Sequence, residues 1–327
     1  MSNSSIILSY QFIGEKITIY CGLFILITGV CGGILNILVF TTLKTFRNTS
    51  CVFYLITASI VDTAQLLTSL LVRILSVGFL IDPTTISWFC KTRMFFAQFS
   101  ILVALGCMSL ATIDQFISIN RRQLCSLQSA HRYIFIACIM AIIHAIFFSI
   151  YHDTRSNVCT IINPNFAKYY TYVYIPVVIG ILPIITMITF ASLAFISIRT
   201  IASCNIHIER LGRDRQLTAM TLIYVVFIII SNVPTIIFNI YLTTSVTTDK
   251  ILLARNYLIV SIVVVFYYVQ YAIPFYVFCC VSKRFRNQVI YVLIDVHFKR
   301  FQQAANKLNN NQVTPGIEMN TLTNEST

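Results

Sequence analysis

Residues 17–43 read ITIYCGLFILITGVCGGILNILVFTTL, and no side chain in that run carries a charge. A helix rises about 1.5 Å per residue, so about 20 apolar residues cross a hydrocarbon core about 30 Å thick. Six further stretches nearly free of charge follow, at 48–72, 94–113, 133–151, 169–198, 216–248 and 256–282. All are longer than the roughly 10–14 apolar residues of an ordinary buried core helix. With 57% hydrophobic and 10% charged residues, the composition suits a chain whose solvent is lipid. A β-barrel would need short segments of alternating hydropathy, which are missing. In lipid the backbone must satisfy its own hydrogen bonds, and that leaves helices. The reading is an all-α integral membrane protein: a seven-transmembrane helix bundle with an amphipathic eighth helix.

An odd number of spans puts the two ends on opposite sides, and Lys and Arg decide which is which, because basic loops stay cytoplasmic. The connections after spans one, three and five, with the tail, hold fifteen: Lys44, Arg47, Arg121, Arg122, Arg132, Arg199, Arg210, Arg213, Arg215, Lys283, Arg284, Arg286, Lys299, Arg300 and Lys307. The other side holds seven: Lys16, Lys91, Arg93, Arg155, Lys168, Lys250 and Arg255. The N-terminus is therefore expected outside the cell and the C-terminus in the cytoplasm of a multi-pass plasma-membrane protein. The net charge of +12 follows from this asymmetry and makes anionic membrane lipid an expected partner. Nucleic acid is not expected, since the basic residues are scattered over short segments with no basic soluble domain.

The first 16 residues are polar, lack a basic lead-in and precede an apolar run far longer than a signal core, so no cleaved signal peptide is expected. Residues 1–16 read as a short extracellular N-terminus, with Asn3 of Asn3-Ser4-Ser5 a glycosylation acceptor. The matching triplets at Asn48 and Asn324 fall on the cytoplasmic side of this topology and are set aside. Of eleven cysteines, only Cys90 and Cys159 lie clearly outside the membrane. An oxidising exterior favours a bridge between them; the alternative is two free thiols.

Residues 17–298 form one seven-span unit without an inserted soluble domain. The connection at about 200–214 is polar and basic and extends spans five and six as helix. After span seven, Phe285, Val289, Leu293 and Val296 recur at helical spacing, with Lys283, Arg284, Arg286, Lys299 and Arg300 at the ends. That is the pattern of a helix lying on the inner leaflet. Residues 299–327, rich in Asn, Gln and Thr, read as a disordered cytoplasmic tail. No internal repeat is visible, which weighs against transporters built from duplicated halves.

Charge inside a membrane is costly, so Asp62 and Arg73 in span two stand out. Asp62 lies about 18 Å into its span, near the bilayer midplane. Arg73 follows eleven residues later. It is expected on nearly the same face, about 16 Å nearer the outside. Asp62 reads as the centre of a polar core, and Arg73 as a positive charge under the external mouth or a side chain snorkelling to headgroups. Pro176 and Pro183 in span five, Pro234 in span six and Pro274 in span seven each remove a backbone donor and bend their helices. His144, alone in an apolar span, reads as a satisfied interior group.

Taken in order, these residues resemble a rhodopsin-like (class A) G protein-coupled receptor, divergent and neuropeptide-receptor-like. Asn36-Ile37-Leu38-Val39 resembles the span-one asparagine motif, and Asp62 the span-two aspartate. Asp114-Gln115-Phe116 sits where Asp-Arg-Tyr is expected. Ser231-Asn232-Val233-Pro234 takes the place of Cys-Trp-x-Pro, and Ile273-Pro274-Phe275-Tyr276-Val277 that of Asn-Pro-x-x-Tyr. The resemblance covers about residues 17–298 and implies an extracellular ligand and a heterotrimeric G protein as partners. Its activation switch would comprise Asn36, Asp62, Asp114, Gln115, Asp214, Asn232, Pro234 and Pro274.

The departures carry expectations too. Gln115 replaces the family's arginine, so Asp114 and Asp214 are expected to lack its charge and the resting state to be loosely held. Ile273 adds no ligand to a sodium site. Ala97 stands where amine receptors carry an aspartate, and Tyr267 where opsins carry the retinal lysine. The resemblance places Arg73, Arg93, Gln98, Asn239, Arg255 and Tyr268 around the outer cavity, where a cationic mouth suits a peptide or an anionic small molecule. The same residues would also serve as interfacial anchors. A seven-span transporter or a non-coupling divergent chemoreceptor are the alternatives. Enzyme chemistry is not expected, nor is a metal or a cofactor: no His/Cys/Asp/Glu cluster has metal-ligand spacing, and no Ser/His/Asp set converges.

Overall fold

The computed structural model describes residues 3–42, 49–79, 81–121, 127–202, 208–245 and 249–294. Seven of the described helices are long and apolar enough to cross a membrane. They are α1 (Asn3–Thr42), α2 (Ser50–Gly78), α3 (Ser87–Arg121), α4 (Leu127–Tyr151), α5 (Pro164 to Ala202), α6 (Ile208–Thr244) and α7 (Lys250–Ala272). The chain is a multi-pass membrane protein folded as a seven-helix bundle. A short helix, α8 (Lys283–Tyr291), follows.

The helices outrun the apolar windows that mark them, because hydropathy reports the lipid-facing stretch and not the helix ends. The clearest correction is at the start. Residues expected as a polar N-terminal segment are the first turns of α1, whose 40 residues make a rod about 60 Å long. Asn3 opens that helix. The tail 299–327, together with Val296, lies outside the described residues.

Small residues set the closest approaches, as expected where dispersion rather than water expulsion joins helices. A Cβ built on Gly29 would come within 2.5 Å of Leu66 Cδ1 on α2 and 2.7 Å of Ala272 Cβ on α7. One built on Gly33, a turn later on the same face, would meet Thr63 Oγ1 at 2.2 Å. Gly180 of α5 similarly admits Ile236 of α6, at 2.8 Å from its built Cβ.

Three irregularities interrupt the helices. α2 contains a π-helical turn, Leu66–Leu70, between Asp62 and Arg73. α5 widens into a twelve-residue π-helix, Tyr170–Ile181, around Pro176. α7 breaks at Ile273 and resumes as Pro274–Val281, with Pro274 in the first-turn position where its missing N–H costs nothing. Pro234 sits inside a continuous α6.

Between α4 and α5 lies a hairpin that the sequence did not announce: β1 (His152–Arg155) and β2 (Val158–Ile161), antiparallel, with Thr154 opposite Cys159. Its two turn residues, Ser156 and Asn157, have φ of 50° and 62°. This two-residue turn matches the strand twist without a glycine. At the opposite end, the Ser282 hydroxyl accepts from the Phe285 amide at 3.0 Å and caps α8. Arg286 donates to the carbonyls of Cys279 and Cys280 at 2.8 and 3.1 Å, closing the C-terminus of α7. Phe285 is fully buried against Phe40, Phe275 and Phe278. Val289 and Val292 complete the inward face, while Leu293 is exposed, one position off the expected stripe.

Candidate functional site

At the hairpin end the structure joins Cys90 of α3 to Cys159 of β2, with 5.7 Å between their Cα atoms. Asp153 of β1 reinforces this junction. It accepts from the Ser87 hydroxyl and the Thr154 amide and pairs with Lys91 at 3.3 Å. Those contacts, the Ser87 hydrogen bond first, hold its carboxyl below the usual carboxylate range. The Thr154 hydroxyl donates to the Thr84 carbonyl at 3.0 Å. Burial lowers the His152 imidazole from its ordinary value, although its Nδ1 contact with the Phe148 carbonyl opposes that. The hairpin is thus tied to the top of α3 by covalent, ionic and hydrogen bonds together.

Below it, Arg73 on α2 and Arg93 on α3 are both half-buried, and the Nε of each is buried without a hydrogen-bond partner. Their charges lie within electrostatic reach of one another and of Tyr268 on α7; Arg73 also reaches Tyr257. No carboxylate among the described residues forms an ion pair with either arginine. Three of the six expected ligand residues therefore converge. The others do not join them. Gln98 is buried and accepts from the Tyr174 hydroxyl, inside an aromatic cluster with Phe148 and His144. Asn239 donates to Thr235 O of its own helix at 2.8 Å. Arg255 is exposed.

Midway along the bundle a polar network joins α2, α6 and α7. The Tyr224 hydroxyl of α6 lies 3.4 Å from Asp62 Oδ2 and 3.2 Å from the Gln270 carbonyl. Asn232, two residues before Pro234, donates to Gln270 Oε1 at 2.5 Å and to Ile228 O at 2.8 Å. Asn36 Oδ1, Asp62 Oδ1 and Gln65 Oε1 are buried with no protein partner. Tyr224 and Gln270 escaped the sequence reading. Gln270 stands three residues before Ile273, and an amide deep in a mostly apolar span was the signal available for it.

Nearer the α8 end, Gln115 is 5% exposed and spans three helices. Its Nε2 donates to Thr221 Oγ1 of α6 at 2.9 Å and lies 3.2 Å from Cys51 Sγ of α2. The residue that replaces an arginine is therefore a cross-helix bridge built of neutral bonds. Asp114 beside it is buried and engaged in contacts of its own. Asp214 lies on α6, with its side chain outside the described residues.

Fold and interior together define the class: a seven-helix, multi-pass membrane protein with a polar seam through α2, α3, α6 and α7. Compared with known proteins, the chain matches no family model and no curated sequence.

Proposed function

We propose that the chain is a signalling receptor of the plasma membrane, with its hairpin end outside and its α8 end in the cytoplasm. A ligand bound between the helices at the hairpin end biases a two-state bundle, and a heterotrimeric G protein reads the result at the other end. The observation that carries this reading is how α6 is held. Individual side-chain hydrogen bonds, Gln115 to Thr221 and Asn232 to Gln270, tie it to α3 and α7. A neutral hydrogen bond contributes about 0.5–1.5 kcal/mol, so the α6 position is within the reach of an ordinary ligand. The basic asymmetry of the loops supports the orientation. The order of the family-like motifs along the chain supports G protein coupling. Asn36 and Asp62 serve in this reading as the polar pivot, with the α7 break at Ile273 and Pro274 beside it. The test is a ligand panel, peptides and small anions first, read as G protein activation in transfected cells. Activation by a member of the panel supports the proposal. Silence across the panel with every G protein class, at verified surface expression, overturns it.

A further inference from the structure

Arg73 and Arg93 are like charges on neighbouring helices, half-buried, each with an Nε that no protein atom satisfies. Two guanidinium groups within electrostatic reach of one another repel, and buried donors of this kind are costly unless an anion completes them. The described residues supply none: no carboxylate among them pairs with either arginine, and Glu15 of α1 acts on Tyr257. Tyr268, buried on α7, adds a hydroxyl within electrostatic reach of both charges. A guanidinium is a planar fork matched to two oxygens of one oxyanion, and two forks match a group with three oxygens and two charges.

We propose that Arg73, Arg93 and Tyr268 form a binding site for a dianionic oxyanion, a phosphate or sulfate monoester. The same chemistry is offered by a soluble ligand and by a phosphomonoester lipid headgroup. The site gives the receptor reading its ligand class and rests on that reading for its biological use, but it is measured by binding alone. Its failure leaves signalling to be tested separately.

The experiment uses the full chain in neutral detergent, with thermal unfolding followed as inorganic phosphate or sulfate replaces chloride at constant ionic strength. A second arm places it in nanodiscs with and without phosphatidic acid. The site is expected to raise Tm by about 2 °C or more in one arm. A response to the soluble ions identifies a soluble ligand, and a response to phosphatidic acid alone identifies the headgroup. Arg73→Gln and Arg93→Gln should each abolish the response. Without anion, both variants should be at least as stable as wild type, because each removes an uncompensated charge. Arg73→Lys, which keeps the charge and loses the fork, should weaken binding about tenfold. No response in either arm, an undiminished response in the Gln variants, or Gln variants less stable than wild type without anion would each overturn the site.

Discussion

The two ends of the bundle are held by different kinds of bond. At the hairpin end, one disulfide, an ion pair and several hydrogen bonds tie the two strands of the hairpin to the first turns of α3 and the segment before it. Around α6, the side-chain ties to α3 and α7 are a few neutral hydrogen bonds, from Gln115 to Thr221 and from Asn232 and Tyr224 to Gln270. A disulfide contributes about 2–4 kcal/mol and a neutral hydrogen bond about 1 kcal/mol. The first arrangement fixes a shape, and the second permits two. In the proposed receptor, the ligand mouth gains from rigidity, because less ordering is needed on binding. A switch needs an equilibrium that a few kcal/mol can move.

The strongest way to break this contrast is to open the fixed end. Cys90→Ala or Cys159→Ala should remove most of the surface-expressed protein, and the double variant should match either single one. Additive losses, measured by surface labelling, would show that the two do not act as a pair. Gly29→Leu probes the packing that both ends share. Its side chain would run into Leu66 and the Ala272 backbone, so folded yield in detergent should fall severalfold, whereas a wild-type yield would mean that α1 is free to move aside. Asn232→Leu removes one α6–α7 tie while the hairpin keeps all of its own. The expected outcome is a stability loss of about 1–2 kcal/mol, including the unpaired Gln270 amide, and a more accessible α6 by hydrogen exchange.

The smallest effect concerns pH. Burial depresses the His152 imidazole in the fold, so the folded state keeps it neutral while the unfolded chain takes up a proton near pH 6.5. The stability tied to that neutral ring is complete above about pH 6.5 and declines as pH falls through the lower folded value. Wild type should therefore lose more Tm between pH 7.5 and 5.5 than His152→Gln does. An equal loss would remove His152 from the account.

The seven helices were legible because lipid demands long apolar runs, and nothing else in a sequence looks like them. Their ends were not, since the polar residues of α1 form helix as readily as loop. The hairpin was hidden because Ser156-Asn157 lacks the glycine that marks most such turns. Of the expected site, Cys90, Cys159, Asp62 and Gln115 could be located from charge, compartment and motif order. Their partners could not. Tyr224 and Gln270 reach Asp62 and Asn232 through tertiary packing, and π-helical turns in α2 and α5 change which side chains share a face. Arg255 and Asn239 show the converse: a position near the mouth in the sequence does not bring a side chain to the arginine pair.

Gln115→Leu tests the contrast most directly, because it deletes the α3–α6 bridge and leaves the hairpin end untouched. Removing it should cost the resting arrangement about 1–2 kcal/mol, a five- to thirtyfold shift in population. Ligand-free G protein activation, compared at matched surface expression, is predicted to rise severalfold above wild type. Activation equal to or below wild type, in a chain shown to couple, would contradict the claim that this neutral bridge holds the proposed receptor at rest.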